Sequence, residues 1–120
     1  MKPTTLWLGL IFASLVGPAD ARADSAGLYK MCTASKGTLE DMFCTGYMAG
    51  FVHGFTLGDA QFDANDKRRA VCLPKGGTSA PELRTLVVQH LKDNPQDLKR
   101  EPADVTLRAL MLAHPCSPSN

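Results

Sequence analysis

Thr38-Leu-Glu-Asp-Met-Phe-Cys-Thr-Gly-Tyr-Met-Ala-Gly-Phe-Val-His-Gly-Phe-Thr-Leu-Gly58 is the stretch on which the fold turns. Its apolar side chains Met42, Phe43, Tyr47, Phe51 and Phe55 recur three or four residues apart, which lines them along one face of an α-helix. Thr38 offers an oxygen to an early backbone N–H. The Asp41 carboxylate three residues on answers it and favours the positive helix end. Glycines recur every four residues at Gly46, Gly50, Gly54 and Gly58. An interior helix glycine costs about 1 kcal/mol against alanine, so the first three call for a packing reason. Lacking a side chain, glycine lets another helix lie against the backbone. Gly46 and Gly50 are therefore expected at a helix–helix contact, within the monomer or across a dimer. Gly58 is expected as a left-handed C-cap. The stripe reads as a core-facing surface with small-residue packing rather than as a ligand site.

Upstream, residues 1–23 read as a signal peptide. Lys2 supplies the positive end, Leu6 to Val16 is an apolar run of eleven residues, and Ala19-Asp20-Ala21 and Ala21-Arg22-Ala23 are small-residue cleavage sites. The run is shorter than the roughly 20 residues that span a bilayer. Cleavage after Ala23 leaves residues 24–120 as one domain, with no second segment apolar enough to hold it in a membrane. Removing Lys2, Arg22 and Asp20 from the 13 basic and 12 acidic residues leaves 11 of each. That balance lacks the basic footprint of a nucleic-acid binder. A domain this small has a modest core and needs staples or a partner.

The staples are at hand. Cys32, Cys44, Cys72 and Cys116 all follow the cleavage site, and an even count in a short exported chain implies two disulfides. Four cysteines allow three connectivities. Helix direction selects among them. Asp24 to about Thr33 reads as a first helix with Leu28, Met31 and Cys32 on one face, and Ser35-Lys36-Gly37 turns the chain back into the long helix, which brings Cys32 near Cys44. A third helix begins at Ser79-Ala-Pro-Glu82, a capping box with proline in the first turn, and shows Leu83, Leu86, Val87, His90 and Leu91 as its apolar stripe up to Asp93-Asn94-Pro95. A last helix spans about Pro102 to Ala113 and is apolar nearly all round, which predicts the most buried element. If these two helices are antiparallel, Cys72 meets Cys116. The result is an all-α, small four-helix domain with two disulfides.

No catalytic constellation is present. His53, His90 and His114 sit on separate elements, and no serine elbow, HExxH motif or phosphate-binding glycine loop occurs. His90 falls on an apolar face and reads as a core histidine. Cys44 and His53 lie two and a half turns apart on one helix and cannot meet. The cysteine spacings of 12, 28 and 44, without a CxxC pair, do not suit zinc, and nothing suggests another cofactor. Residues 59–80 form a long, polar connection. Asp63, Asn65 and Asp66 hint at a calcium loop, but the glycine and the distal glutamate of an EF-hand are missing. Lys67-Arg68-Arg69 is balanced by nearby aspartates, so the loop reads as solvated rather than as a membrane patch.

Several segments together resemble a known family. They are Phe43-Cys44-Thr45-Gly46-Tyr47-Met48-Ala49-Gly50, Cys72-Leu73-Pro74-Lys75-Gly76, Leu86-Val87-Val88-Gln89-His90-Leu91, Asn94-Pro95, Arg108-Ala109-Leu110 and His114-Pro115-Cys116. In order and spacing they resemble the Rap/Tai family, the type VI secretion amidase immunity proteins of Gram-negative bacteria. The resemblance covers about residues 26–116. It departs at His53 and His90, where acidic and aromatic residues are common in that family. It implies a small all-helical periplasmic protein, often a homodimer, that binds a peptidoglycan amidase effector and occludes its cleft without catalysis of its own. Two loops could enter such a cleft. One is residues 59–70, with the charges of Asp63, Asp66, Arg68 and Arg69; the other is Asp93 to Glu101, shorter and braced by two helices. Length favours the first. A small exported disulfide scaffold equally suits a periplasmic stress or chaperone-like protein with no cognate toxin.

Overall fold

The computed structural model describes residues 23–63 and 66–117. The signal peptide expected over residues 1–23 lies outside them, save Ala23. Helix α1 (Ser25–Cys32) is capped by Asp24, whose carboxylate accepts from the Gly27 N–H at 3.1 Å. The turn to the next helix passes through Gly37 at φ 83°, a left-handed conformation that glycine adopts without a Cβ clash. Helix α2 (Leu39–Asp59) begins on Thr38, whose hydroxyl accepts from the Asp41 N–H at 3.3 Å. The Asp41 carboxylate reaches back one residue beyond the cap, to the Gly37 N–H at 2.9 Å. Cys32 and Cys44 join at a Cα–Cα distance of 5.1 Å and are buried, which closes the α1–α2 corner as helix direction predicted. Gly58 is not the expected left-handed cap. The helix continues through it to Asp59, and Ala60 ends it in ordinary right-handed geometry.

Helix α3 (Ala80–Asp93) carries the predicted capping box. Ser79 Oγ accepts from the Glu82 N–H at 3.3 Å, and the Glu82 carboxylate accepts from the Ser79 N–H at 2.9 Å. Leu83, Val87 and Leu91 are buried at one-turn spacing. A 3-10 turn over Pro95–Lys99 follows and is clasped to α3 by His90 Nε2 and Asp97 Oδ2 at 2.8 Å. Arg100 adds a second ion pair to Asp97 at 2.9 Å. The Ser25 N–H and hydroxyl both donate to the Arg100 carbonyl, at 2.9 and 2.8 Å, which docks the start of α1 against the end of this turn. Helix α4 (Pro102–Ala113) then runs back along α3.

The core lies where α1 and α3 meet, with α2 and α4 packed on either side. Leu28, Met48, Leu83, Val87, Leu91, Val105 and Leu110 fill it. On α3, Arg84 donates from Nε to the Cys32 carbonyl at 2.9 Å and pairs through Nη1 with the Asp41 carboxylate, binding three helices at one corner. Helices α2 and α4 lean on the same two neighbours and not closely on each other; Tyr47 Oη and Thr106 Oγ1, 3.1 Å apart, bridge them. The second disulfide joins Cys72 to Cys116 at a Cα–Cα distance of 4.8 Å, beside one antiparallel bridge between Val71 and Pro115. Among the described residues the architecture is thus four helices and no strand, stapled twice. Helix α4 buries Val105, Thr106, Ala109 and Leu110, more residues than any other helix, but it is not buried all round: Leu112 is 71% exposed.

Two outcomes follow for stability. Leu110→Ala opens a cavity in the core and should cost about 2–5 kcal/mol in urea denaturation. Leu112→Ala, two residues on but in solvent, should fall within about 0.5 kcal/mol of the parent; equal losses would refute the one-sided packing of α4. Acidification tests the clasp. The hydrogen bond from His90, aided by Arg100, holds the Asp97 carboxyl below its ordinary value of 3.8. A depressed carboxyl contributes fully above its unfolded pKa, and that contribution is lost as pH falls through the folded value. Asp97→Asn should therefore be less stable near neutrality and lose less in melting temperature than the parent as pH drops below about 4. Parallel melting curves for the two proteins would overturn this role.

Candidate functional site

Helix α2 buries only Cys44 and Met48 out of its 21 residues. Leu39, Met42 and Phe43 are 61–65% exposed, and Tyr47, Phe51 and Phe55 are half-buried. The aromatic stripe that reads as core in the sequence therefore runs along the surface. Nor do Gly46 and Gly50 receive another helix of this chain. A Cβ built at either, or at Gly54, meets nothing within 4 Å. The reason is angular. These glycines follow the buried Cys44 and Met48 by two residues, about 200° round the helix, so they point away from α1 and α3. The packing expectation for Gly46 and Gly50 is not met within the monomer.

Two apolar hollows open on this side of α2. One, of about 540 Å³, lies between α2, the following loop and α4; its apolar wall comes from Phe51, Phe55, Phe62, Val71, Ala103 and Leu107. The other, of about 500 Å³, lies nearer the helix start and is lined by Leu39, Met42, Phe43, Gly46 and Tyr47. An aromatic ladder joins them: the Tyr47 and Phe51 rings are 6.3 Å apart, and Phe51 and Phe55 stack at 6.4 Å with planes 7° apart. The larger hollow exists because α2 and α4 diverge. The rim above it is charged, with the Asp59–Arg69 pair, Arg68 and Asp104.

The loop charges singled out in the sequence do not converge on one patch. Arg69 turns inward and grips Asp59 bidentately, at 3.2 and 2.6 Å, with its side chain 16% exposed. Asp66 accepts from the Arg68 backbone and side chain, at 2.9, 3.0 and 2.6 Å, and this pairing holds its carboxyl down at about 2. Arg68 itself lies outward, 77% exposed, with its guanidinium 5.3 Å from the Phe62 ring centroid. Asp63 is exposed, and its carbonyl accepts from the Asp66 N–H at 2.9 Å. Arg69 thus holds the loop against the end of α2 and Asp66 orders it locally, while Asp63 and Arg68 face outward. The second candidate loop, residues 93–101, is the clasped 3-10 turn and is the more rigid of the two.

His53 is exposed, His90 is the clasp partner on its half-buried face, and His114 caps α4, so the three histidines form no site together. Among the described residues no group of three histidine, cysteine or acidic side chains could hold a metal ion, and no helix is long and apolar enough to cross a membrane. The surface that sequence reasoning missed is the apolar one: Leu39, Phe62, Leu107 and the outward side of the α2 stripe. The available signal was the alternation of glycine with aromatic residues every four positions, without a charge between Asp41 and Asp59.

A comparison with protein-family models matches residues 24–116 to the Rap1a immunity proteins. Comparisons with curated proteins and with solved structures find no match. The family match spans most of the chain and includes all four helices and both disulfides. The chain belongs to the Rap1a immunity protein family and is on that ground an immunity protein, a binder of a secreted effector.

Proposed function

We propose that this protein acts in the periplasm, where it binds a type VI secretion peptidoglycan amidase and covers its active-site cleft, protecting the cell that makes both. Family membership over residues 24–116 carries this reading. Two disulfides suit an oxidising compartment, and the rigid scaffold suits inhibition, because a preorganised surface loses less entropy when it binds. Asp63 and Arg68 offer outward charges to the effector, with Arg69 tying their loop to Asp59 and Asp66 ordering it from within.

The protein acts as a homodimer in this reading. The exposed face of α2 extends about 30 Å along its 21 residues. Between Asp41 and Asp59 it carries no Asp, Glu, Lys or Arg, so a second copy crossing it near Gly50 meets no like charge. The open glycine notches would receive the partner's aromatic rings.

Purified protein should abolish cleavage of peptidoglycan by the amidase encoded beside it, at about stoichiometric concentration if binding is nanomolar, and should prevent lysis when both are exported. An amidase that neither associates nor slows at micromolar concentration would end the immunity reading for that pair. Suppression of aggregation of unrelated unfolded proteins would then favour the chaperone-like alternative. For the dimer, Gly50→Glu leaves the monomer's contacts untouched and replaces glycine by a better helix former. Light scattering should show the parent's mass halved, with helicity unchanged; a parent that is already monomeric would remove the dimer.

A further inference from the structure

We propose that the Cys72–Cys116 disulfide is a redox-sensitive latch on the loop that walls the larger apolar hollow, distinct in role from the Cys32–Cys44 bond. The two staples differ in what shields them. Cys32 and Cys44 are 4% and 0% exposed inside the core, whereas Cys72 and Cys116 are both partly open to solvent. They differ equally in what they hold. Cys32–Cys44 closes the corner of α1 and α2, where Arg84 also binds. Cys72–Cys116 joins a loop to the chain beyond α4 and closes no contact between two core helices.

Beside that bond the described part of the loop is held by Val71, 3% exposed in the core, by Leu73 packed against it, and by a few polar contacts. The Cys72 N–H donates to the His114 carbonyl at 2.9 Å, Val71 bridges Pro115, and Arg69 grips Asp59. Gly76 and Gly77, both left-handed at φ 92° and 75°, follow shortly and bring the chain to α3. The same loop supplies Phe62, Arg68, Arg69 and Val71 to the hollow. Opening the bond therefore loosens one wall of the hollow, leaving Val71 as its remaining hold in the core, and leaves Leu83, Val87, Val105 and Leu110 packed as before. The reductant is a dithiol. One of its thiolates attacks a sulfur of the bond, forming a mixed disulfide and releasing the other cysteine as a thiolate. Its second thiol then closes the reductant's own disulfide, and both cysteines end protonated, two electrons and two protons having passed to the protein. The latch stands without the proposed partner; its effect on effector binding rests on that reading.

The test treats the folded protein with graded dithiothreitol at about pH 8, traps free thiols by alkylation and maps them by mass. Cys72 and Cys116 should be labelled at least about 10-fold faster than Cys32 and Cys44, because exposure governs access to the attacking thiolate. Helicity should persist, and hydrogen exchange should rise over residues 60–78 but not over residues 80–93. The double variant Cys72→Ser, Cys116→Ser should show the same exchange pattern with no reductant present. Simultaneous opening of both bonds, earlier opening of Cys32–Cys44, or opening with loop protection retained would each overturn the latch. So would a double variant whose helices exchange as fast as its loop.

Discussion

The anchoring of α2 at one end shapes everything else in this structure. A buried disulfide fixes its second turn to α1, and Arg84 ties its first turn to α3. Beyond Met48 no residue of the helix is buried, so its remaining turns lie along the molecule rather than within it. Helix α4 approaches from the far side of α3 and does not close the gap. The hollow between them is the direct result of two helices sharing supports without sharing a seam. The loop from α2 to α3 must then cross the open end of that gap, and it does so stapled to the chain beyond α4.

The opposite edge of the molecule is built differently. There the start of α1 donates twice to the Arg100 carbonyl, and His90 holds Asp97 across the 3-10 turn. Asp97 is buried, so its charge needs partners, and His90 and Arg100 supply them. Further along, Arg100 and Arg108 both pair with Asp104 in solvent, where water and salt weaken such pairs. One buried pair therefore fixes this edge, whereas the loop edge rests on a covalent bond, the half-buried Arg69–Asp59 pair and the buried Val71.

Local chemistry made most of the fold legible in the sequence. Thr38 and Ser79 announced helix starts through side-chain oxygens, and the structure places both hydroxyls on the expected N–H groups. Helix direction alone paired the cysteines correctly. The stripe of α2 was harder. Periodicity shows that apolar residues share a face but not what covers it, and this helix is apolar on two faces. Cys44 and Met48 take the core, Tyr47 and Phe51, one position away from them or from the helix's next turn, fall at the edge of it, and Phe43 lies in solvent. Helix α4 misled for the same reason, since Leu112 and Leu110 look equivalent in sequence. The Arg69–Asp59 pair could not be read at all, because it spans ten residues of irregular chain and depends on how the loop folds back. The charged candidates were thereby divided between loop supports and outward side chains.

The glycines of α2 carry the last step. Each interior glycine costs about 1 kcal/mol against alanine, and Gly46, Gly50 and Gly54 together cost roughly 3 kcal/mol. Small domains are stable by only about 5–15 kcal/mol, so this is a large fraction to lose in a single helix. Nothing in the monomer returns it, because a methyl group at each position would meet open space. Two disulfides and a clasped 3-10 turn make the loss tolerable but do not explain it. A sequence that departs from local preference with no internal gain does so where function is exerted. In a family of binders, a bare apolar helix face fits the contact with another protein proposed above. The alternation of open notches with half-buried rings, on a face free of carboxylates and of lysine or arginine, suits the proposed contact with a second copy.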